Sequence, residues 1–211
     1  MKPLEVFLYV LCISIALKGG VTSELREQLR ILAEYLVYAW SIGLINWLVC
    51  GGALNGFGIR PRALFGLVGI FFAPFIHSDW DHLLGNTIPF GILGWFIMLQ
   101  GGITNFFVVT VFVALFSGFG TWLFGQPNTS HVGASGIIFG YLGFLLLRSY
   151  VDRDGVAIVL TAIVGFIYGR ALWLIFPIRA GMSWEGHMFG LLGGVLSAYF
   201  IEFFKKVWAM F

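Results

Sequence analysis

The stretch that decides the fold reads HVGASGIIFG and occupies residues 131–140. It puts one hydroxyl, that of Ser135, and several glycines at the beginning of an apolar segment. A polar group inside a membrane segment is costly, and its default interpretation is functional. Whether other polar side chains reach the same depth of a membrane therefore decides how Ser135 is interpreted.

The composition indicates lipid rather than water as the main solvent. Of the 211 residues, 59% are hydrophobic and 10% are charged, whereas a soluble domain carries about 25% charged residues. The net charge of +2 is too small to indicate binding of nucleic acid. No Cys/His spacing predicts a metal site and no glycine-rich phosphate loop is present. We therefore expect no metal, no cofactor and no nucleic-acid partner.

Six long apolar segments predict six membrane-crossing helices. Each approaches the roughly 20 residues that a bilayer requires. Each must be helical, because backbone groups in hydrocarbon need hydrogen-bond partners within the segment. The predicted fold class is therefore an all-α integral membrane bundle. The six segments are 33–53, 82–99, 104–124, 133–150, 156–175 and 184–204.

The regions around these segments are less regular. Residues 4–17 are apolar but shorter than a full span, and they fit a signal-like segment, an interfacial helix or a short extra span. Together with a polar juxtamembrane helix they form an N-terminal region, 1–32, and residues 205–211 form a short cytoplasmic tail. The long connection 54–81 mixes glycines and arginines with apolar residues, so we expect it to lie partly in the membrane interface.

Basic residues near the segment ends predict the orientation in the membrane. The bias, six residues against four, favours a cytoplasmic start of the first long segment and a cytoplasmic C-terminus. The inner side carries Arg26, Arg30, Arg148, Arg153, Lys205 and Lys206, and the outer side carries Arg60, Arg62, Arg170 and Arg179.

Alternation of direction brings four polar side chains to one end of the predicted bundle. His82 and Asn86 begin the second segment, and Ser135 begins the fourth. His187 begins the sixth, and all three of these segments run inward. At a rise of about 1.5 Å per residue, the four side chains lie within a few Å of one depth, at the outer end.

Small residues predict that the fourth and sixth helices approach each other closely. Glycines spaced by three and four residues let membrane helices pack tightly. The alternative is ordinary packing, since glycine is common in membrane helices. The stripes are Gly136, Gly140 and Gly143 on the fourth segment, and Gly190, Gly194 and Ala198 on the sixth.

The four polar residues meet the requirements of acyl transfer. A serine hydroxyl is a weak nucleophile until a base takes its proton, and histidine has a suitable pKa for that task. This assigns Ser135 as nucleophile and His187 as base. Negative charge on the attacked carbonyl needs preorganised donors, which His82, Asn86 and the backbone amide of Ser135 can supply. Because Glu185 points elsewhere on its helix, we expect a dyad without an orienting carboxylate.

Each of these residues also has a structural interpretation. A serine in a membrane helix usually bonds to its own helix backbone, and Asn86 can simply bridge two helices. His77 and His131 are interpreted as structural loop residues. Only the coincidence of several polar groups at one end of the bundle favours a functional site.

Three motifs, in this order, resemble those of the rhomboid intramembrane serine proteases. Residues 82–86, HLLGN, resemble the H-x-x-x-N motif, and His77 also fits the spacing often seen there. Residues 133–136, GASG, resemble G-x-S-G, and residues 186–190, GHMFG, resemble the histidine helix of the family. The G-x-S-G motif alone is weak, but the three together are highly specific.

The resemblance implies a rhomboid-like six-helix protease domain over residues 33–204, with a water-filled cavity open to the extracytoplasmic side of a bacterial-type cell membrane. It implies that Ser135 and His187 cleave a peptide bond in or beside a transmembrane segment of another membrane protein. The partners implied are transmembrane protein substrates and membrane lipid. The loop 54–81 would lie beside the bundle, and the fifth span with residues 176–183 would gate access. Supporting positions are Gly133, Gly136, Phe139 and Gly190.

Two departures from the family pattern accompany the resemblance. Phe139 stands where a tyrosine often stacks on the histidine, so an aromatic face is retained and a hydroxyl lost. Val132 stands where a glycine often precedes the serine motif. Arg170, inside the fifth span, is expected to snorkel or to face the cavity.

Two other classes of function stay open at this point. The first is an inactive rhomboid-like protein that binds transmembrane clients. The second is a small transporter or channel, which would be expected to have polar residues near mid-membrane and an internal repeat. Neither feature is evident in the sequence, and the oligomeric state is not indicated.

Overall fold

The structure is a computed structural model that describes residues 22–178 and 181–210 of the 211-residue chain. Within these residues the regular structure is helical, apart from an isolated antiparallel bridge between Ile59 and His131. The all-α prediction is therefore confirmed. The apolar segment 4–17, Arg179 and the last residue of the expected tail lie outside the described residues.

The first helix, α1, runs without interruption over Ser23–Leu48. Oγ1 of Thr22 caps it by accepting a hydrogen bond from the amide of Leu25 at 3.1 Å. The expected boundary near residue 33 is absent, because the polar stretch before it consists mostly of good helix formers. The helix ends before residue 53, since Gly51 and Gly52 adopt positive φ angles of 55° and 87°.

The connection after α1 folds into short helical pieces instead of one irregular loop. Its surface is unusually apolar, with Leu64 83% and Phe71 68% exposed. Arg62 ties this region to the bundle, because its Nη2 donates to the carbonyl of Gly125 at 2.7 Å. The pieces are the 3₁₀ turns Ala53–Phe57, Leu64–Leu67 and Ala73–Phe75, and the one-turn helix α2, Gly69–Phe72.

The longest element, α3, spans Trp80–Phe124 and contains a break at Gly101 and Gly102, whose backbone angles are not helical. The rings of Phe90 and Phe106 lie with their centroids 6.3 Å apart. In a straight helix, 16 residues would separate them by about 24 Å. The chain therefore folds back at the two glycines, which separates the predicted segments 82–99 and 104–124.

Three further helices complete the bundle. They are α4, Ser135–Asp152; α5, Gly155–Tyr168, which continues as a 3₁₀ helix over Gly169–Ile175; and α6, Trp184–Trp208. Helix α6 takes in Lys205 and Lys206, which were expected in the tail. Four elements are long and apolar enough to cross a membrane by length and composition: Ser23–Leu48, Trp80–Phe124, Gly155–Ile175 and Trp184–Trp208. These findings indicate an integral membrane protein.

Helices α4 and α6 approach each other at glycines. A Cβ atom at Gly190 would overlap the carbonyl oxygen of Gly136, and one at Gly194 would overlap that of Gly140. The prediction that the glycine stripes bring these two helices together is confirmed. Since only a hydrogen fits at these positions, the spacing between the two backbones is tightly set.

Aromatic side chains join α1, α3 and α4 in the core. Tyr35 stacks on Phe90 with ring centroids 3.9 Å apart, and Phe90 lies 5.5 Å from Tyr141. The hydroxyl of Tyr141 lies 2.6 Å from Oγ1 of Thr110, so its polar end is paired. This packed layer gives the end of the bundle that carries the polar residues a rigid base.

Candidate active site

Ser135 is the first residue of α4, and a turn at Gly133 positions it. Gly133 has a φ of +109°, and a Cβ atom at this position would lie 2.5 Å from Nε2 of His82. Both facts require glycine. The amide of Gly133 donates to the carbonyl of Ala73 at 2.8 Å, which anchors the turn. The amide of Ser135 belongs to the first turn of α4, where N–H groups have no partner within the helix.

The side chains of Ser135 and His187 meet across the contact between α4 and α6. Nε2 of His187 lies 2.9 Å from Oγ of Ser135, and Nδ1 lies 3.0 Å from the carbonyl oxygen of Leu174. A carbonyl oxygen can only accept a hydrogen bond, so Nδ1 carries the proton. The lone pair of Nε2 therefore faces the serine hydroxyl, which is the arrangement in which an imidazole accepts a serine proton.

Phe139 holds the ring of His187 from its face. The two rings are stacked, with centroids 4.2 Å apart and planes within 11° of parallel. Phe139 lies one helical turn after Ser135, so one helix carries both neighbours of the imidazole. With Leu174 on its edge and Phe139 on its face, the buried imidazole has little rotational freedom.

His82 and Asn86 come to the same place from the first turns of α3. Both line one cavity with Ser135 and His187. The side chain of Asn86 is 9% exposed, and its Nδ2 has no hydrogen-bond partner among the described residues. A buried donor without a partner costs about 1–3 kcal/mol, so this amide is placed to donate to a ligand or to water.

The cavity that these residues share has a volume of about 650 Å³. Its polar end holds the four residues named above, and its walls include Leu93, Ile138, Leu142 and Met182. This size and mixture are typical of sites that bind part of a small molecule or peptide. Arg170 is exposed and does not line the cavity.

A smaller cavity of about 40 Å³ lies behind Ser135. Its polar lining includes Ser117, Thr121 and Ser183. Oγ of Ser183 has no partner among the described residues, whereas Oγ of Ser117 donates to the carbonyl of Gly186 at 3.0 Å. The volume and the unpaired hydroxyl suit at least one water molecule next to Ser135.

Comparison with known proteins identifies the family. The model of the Rhomboid domain matches residues 63–202, which is more than half of the chain and includes all four polar residues. The chain belongs to the rhomboid family. The resemblance seen in the three motifs is thereby confirmed.

Relatives of this rhomboid-family protein occur in several bacteria. It is 41% identical over 192 residues to an uncharacterized protein of Mycobacterium leprae, covering 87% of this chain and 72% of the relative. It is 39% identical over 179 residues to an uncharacterized protein of Mycobacterium tuberculosis, covering 81% and 74%. It is 28% identical over 130 residues to the rhomboid protease GlpG of Yersinia pseudotuberculosis, covering 59% and 45%.

The structure adds groups to the site of this rhomboid-family protein that the sequence analysis missed. The carbonyl of Leu174 orients His187, and a backbone carbonyl leaves no signature in a sequence. Oγ of Ser78 lies 3.1 Å from Nδ1 of His82, and Oδ1 of Asp79 accepts a hydrogen bond from the backbone amide of His82 at 2.9 Å. A signal for Asp79 was available in the sequence. An aspartate just before an apolar segment, three residues ahead of His82, is typical of a helix N-cap.

His77 and His131 occupy structural positions. The backbone of His131 pairs with Ile59, and its Nε2 lies 2.7 Å from Oγ1 of Thr129. His77 is 1% exposed and packs edge-on against His82, with ring centroids 5.0 Å apart. Neither ring is hydrogen-bonded to Ser135, although His131 lines the same cavity.

Proposed function

We propose that this rhomboid-family protein is an intramembrane serine endopeptidase. Its Ser–His dyad would cleave peptide bonds in or next to the transmembrane segments of membrane-protein substrates. The observation that carries the proposal is the 2.9 Å contact between Nε2 of His187 and Oγ of Ser135, with Nδ1 committed to the carbonyl of Leu174. The 28% sequence identity to a protein named as a rhomboid protease supports the same activity.

The reaction follows from where the protons lie. Ser135 passes its hydroxyl proton to Nε2 of His187 as Oγ attacks the substrate carbonyl carbon. The same Nε2–H then protonates the leaving amine when the C–N bond breaks, which leaves an acyl ester on Ser135. Water next gives a proton to Nε2 and attacks the ester carbonyl carbon. The Nε2–H then returns this proton to Oγ as the ester C–O bond breaks, which releases the new carboxyl end and restores Ser135. The 40 Å³ cavity behind Ser135 is a suitable reservoir for that water.

His82, Asn86 and the backbone amide of Ser135 are the proposed donors to the oxyanion. The unpartnered Nδ2 of Asn86 supports this role, because its missing hydrogen bond would form when the negative oxygen arrives. Gly133 supports it too, since a side chain there would fill the space beside both His82 and Asn86. Gly136, Gly190 and Phe139 act indirectly, by setting the distance between the helices and the position of the imidazole.

Six spans form the proposed membrane domain. The two halves of α3 would each cross the bilayer, because one straight helix of 45 residues would measure about 67 Å against a hydrocarbon core of about 30 Å. With α1, α4, α5 and α6 this makes six, and the domain takes in all of α1 as well as residues 33–204. The polar cavity then opens on the extracytoplasmic side of a bacterial-type cell membrane, according to the bias of basic residues.

Lipid and transmembrane segments are the proposed partners. The exposed apolar surface around Leu64 and Phe71 suits the membrane interface. Trp173 and Phe176, both exposed, follow α5 in the segment expected to gate access to the cavity. A substrate segment would reach Ser135 past that side of the bundle.

Reporter cleavage tests the proposal. The purified full-length protein is incubated with a panel of transmembrane reporters, beside Ser135→Ala, His187→Ala and the control Ser197→Ala. Ser197 is a fully buried serine on α6, away from the cavity. We expect cleavage by the wild type and by the control, and none by the other two. Cleavage by Ser135→Ala at the wild-type rate would contradict the proposal.

Labelling with a serine-directed phosphonate separates a protease from an inactive relative that binds clients. An activated Ser135 should react, and both Ser135→Ala and His187→Ala should lose the label. A protein that captures transmembrane segments without reacting would instead be a binding protein.

A further inference from the structure

The connection between α1 and α3, residues 53–75, carries positive charge on an apolar surface. It contains two arginines and no acidic residue. The guanidinium of Arg62 is bound to the end of the long helix, because Nη1 and Nη2 donate to the carbonyls of Leu123 and Gly125 at 3.4 and 2.7 Å. Arg60 is exposed, and within the described part of the chain its side chain has no hydrogen bond or ion pair. Its charge is therefore available to a partner outside the chain.

An aromatic patch, made of Phe57, Phe65 and Phe72, lies beside this guanidinium. The ring centroid of Phe57 is 6.1 Å from that of Phe65 and 6.4 Å from that of Phe72, and all three side chains are exposed. Nη2 of Arg60 lies 3.3 Å from the point where a Cβ atom of Gly56 would stand, one residue before Phe57. The connection thus presents a cation at the edge of an apolar surface. A phospholipid has the complementary arrangement, a phosphate at the end of acyl chains.

The backbone of Arg60 is held in place before any ligand arrives. Its carbonyl accepts a hydrogen bond from the amide of Ala63 at 3.3 Å, and a Cβ atom at Gly66 would overlap the same carbonyl oxygen. The amide of Arg62 donates to the carbonyl of Trp122 at 2.9 Å, which fixes the next turn of the connection to α3. Because the side chain of Arg60 is the group that must be ordered, the entropic cost of binding is small.

We propose that the connection 53–75 is a phospholipid-binding site, in which Arg60 binds the lipid phosphate and the aromatic patch contacts the acyl chains. A guanidinium suits this role because its planar fork of donors matches two phosphate oxygens. In the proposed membrane domain the connection lies beside lipid, where an exposed aromatic surface is favourable. Since the connection carries two positive charges and no negative one, the anionic phosphatidylglycerol should bind more tightly than the zwitterionic phosphatidylcholine.

The same connection holds the turn that positions Ser135. The backbones of Ile59 and His131 exchange two hydrogen bonds, of 2.8 and 2.9 Å, and the amide of Gly133 donates to the same connection at 2.8 Å. Arg60 directly follows Ile59 in the chain. A phospholipid bound at Arg60 would therefore stabilise the arrangement of the serine turn. In this consequence the inference rests on the proposed function, and it adds lipid as a regulator of the same site.

Photo-cross-linking measures lipid binding at this connection directly. Full-length protein in an uncharged detergent is titrated with phosphatidylglycerol that carries a diazirine in one acyl chain, and the label on residues 53–75 is quantified. We expect Arg60→Gln to require about fivefold more lipid for half-saturation, which is the effect of removing one arginine from a headgroup contact. Arg60→Lys keeps the charge and should bind more tightly than Arg60→Gln. With phosphatidylcholine carrying the same diazirine, the effect of Arg60→Gln should be smaller.

Two matched variants test the assignment. Arg153→Gln makes the same change in charge at an exposed arginine at the C-terminal end of α4, and it should leave the labelling of residues 53–75 unchanged. Phe65→Ser should weaken the binding of both lipids alike, because contact with acyl chains does not depend on the headgroup. Half-saturation that is unchanged in Arg60→Gln, or raised equally in Arg153→Gln, would overturn the proposal.

Two other occupants of the surface have their own signatures. Displacement of the lipid by inorganic phosphate at constant ionic strength would indicate a site for a small anion. Displacement by a second copy of the chain, at higher protein concentration, would indicate a dimer contact. Either result would replace the phospholipid as the ligand of Arg60.

Phosphonate labelling of Ser135 measures the consequence for the active site. We expect the labelling rate to rise with added phosphatidylglycerol in the wild type and in Arg153→Gln, and Arg60→Gln to need about fivefold more lipid for the same rise. A wild-type rate that is independent of lipid would refute the link to Ser135. Cross-linking needs neither labelling nor cleavage, so a protein that binds lipid at Arg60 but never reacts with the phosphonate would contradict the proposed function and not the lipid site.

Discussion

Replacing Gly190 with alanine should separate the two helices that carry the dyad. Gly190 lies on α6 against the carbonyl oxygen of Gly136 on α4, and an added Cβ atom would overlap that oxygen. The obstacle is backbone, which cannot rotate away as a side chain can. Because real Cβ contacts closer than 3.0 Å are essentially never found, the helices must move apart by about 1 Å.

The size of the effect follows from the dyad distance. Nε2 of His187 and Oγ of Ser135 are 2.9 Å apart, so an added separation of about 1 Å exceeds the range of a hydrogen bond. A misplacement of about 1 Å costs about 10²-fold in rate. Overpacking a tight contact also costs about 1–3 kcal/mol of stability. We therefore expect Gly190→Ala to fold, to melt earlier and to lose about 99% of its turnover.

Cleavage of a transmembrane reporter, phosphonate labelling and thermal unfolding in the same detergent measure these effects. Gly91→Ala is the control, because a Cβ atom at this helical position in α3 meets nothing within 4 Å. It should keep wild-type turnover and gain up to about 1 kcal/mol from helix propensity. If Gly190→Ala cleaved and unfolded like the wild type, the reasoning from glycine contacts to catalysis would be refuted.

Three further perturbations have expected outcomes. Phe139→Ala should lower kcat about threefold to tenfold, since aromatic stacking is worth about 0.5–1.5 kcal/mol, whereas Phe139→Tyr should stay near the wild type; steady-state kinetics measure both, and equal loss in both variants would argue against stacking. Asn86→Ala should lower kcat about 10²-fold with little change in KM, as for other oxyanion donors; a change in KM alone would assign Asn86 to substrate binding. Burial lowers the pKa of His77 to about 4, below about 6.5 for the unfolded chain; the unfolded state therefore binds more protons between these values, and stability falls as pH falls. The expected loss at pH 5 from His77 is about 2 kcal/mol, to be measured by unfolding at pH 7 and pH 5. His77→Asn should remove this part of the loss and leave the part that comes from His131, whose pKa is also lowered by burial.

Periodic and local features were the predictable part of this structure. Hydrophobic length predicted helices near residues 82–99, 104–124 and 184–204, because backbone in hydrocarbon must pair with itself. The predicted start of the first helix, at residue 33, was wrong. The polar residues at the beginning of α1 are good helix formers, and a search for long apolar segments does not detect them. The folding of the connection after α1 into short helices was also missed, because each turn depends on contacts with the bundle.

The candidate site was also predictable only in part. Spacing and alternation indicated that Ser135, His187, His82 and Asn86 share one end, and the structure brings all four to one cavity. The carbonyl of Leu174 could not be predicted, because every residue has one and only the path of the segment after α5 brings this one to His187. The contact between the hydroxyl of Ser78 and Nδ1 of His82 could not be predicted either, because it depends on the rotamers of both side chains.

The sequence by itself determined which residues had to be helical, which glycines would admit a neighbouring backbone, and which polar side chains lie at the beginning of apolar helices. These properties depend on residue type and spacing alone, so they can be recognised before the packing of the helices is known. The tertiary structure decided which nitrogen of His187 holds a proton. That depends on the carbonyl of Leu174, which comes from another element and lies 3.0 Å from Nδ1 only after the helices have packed.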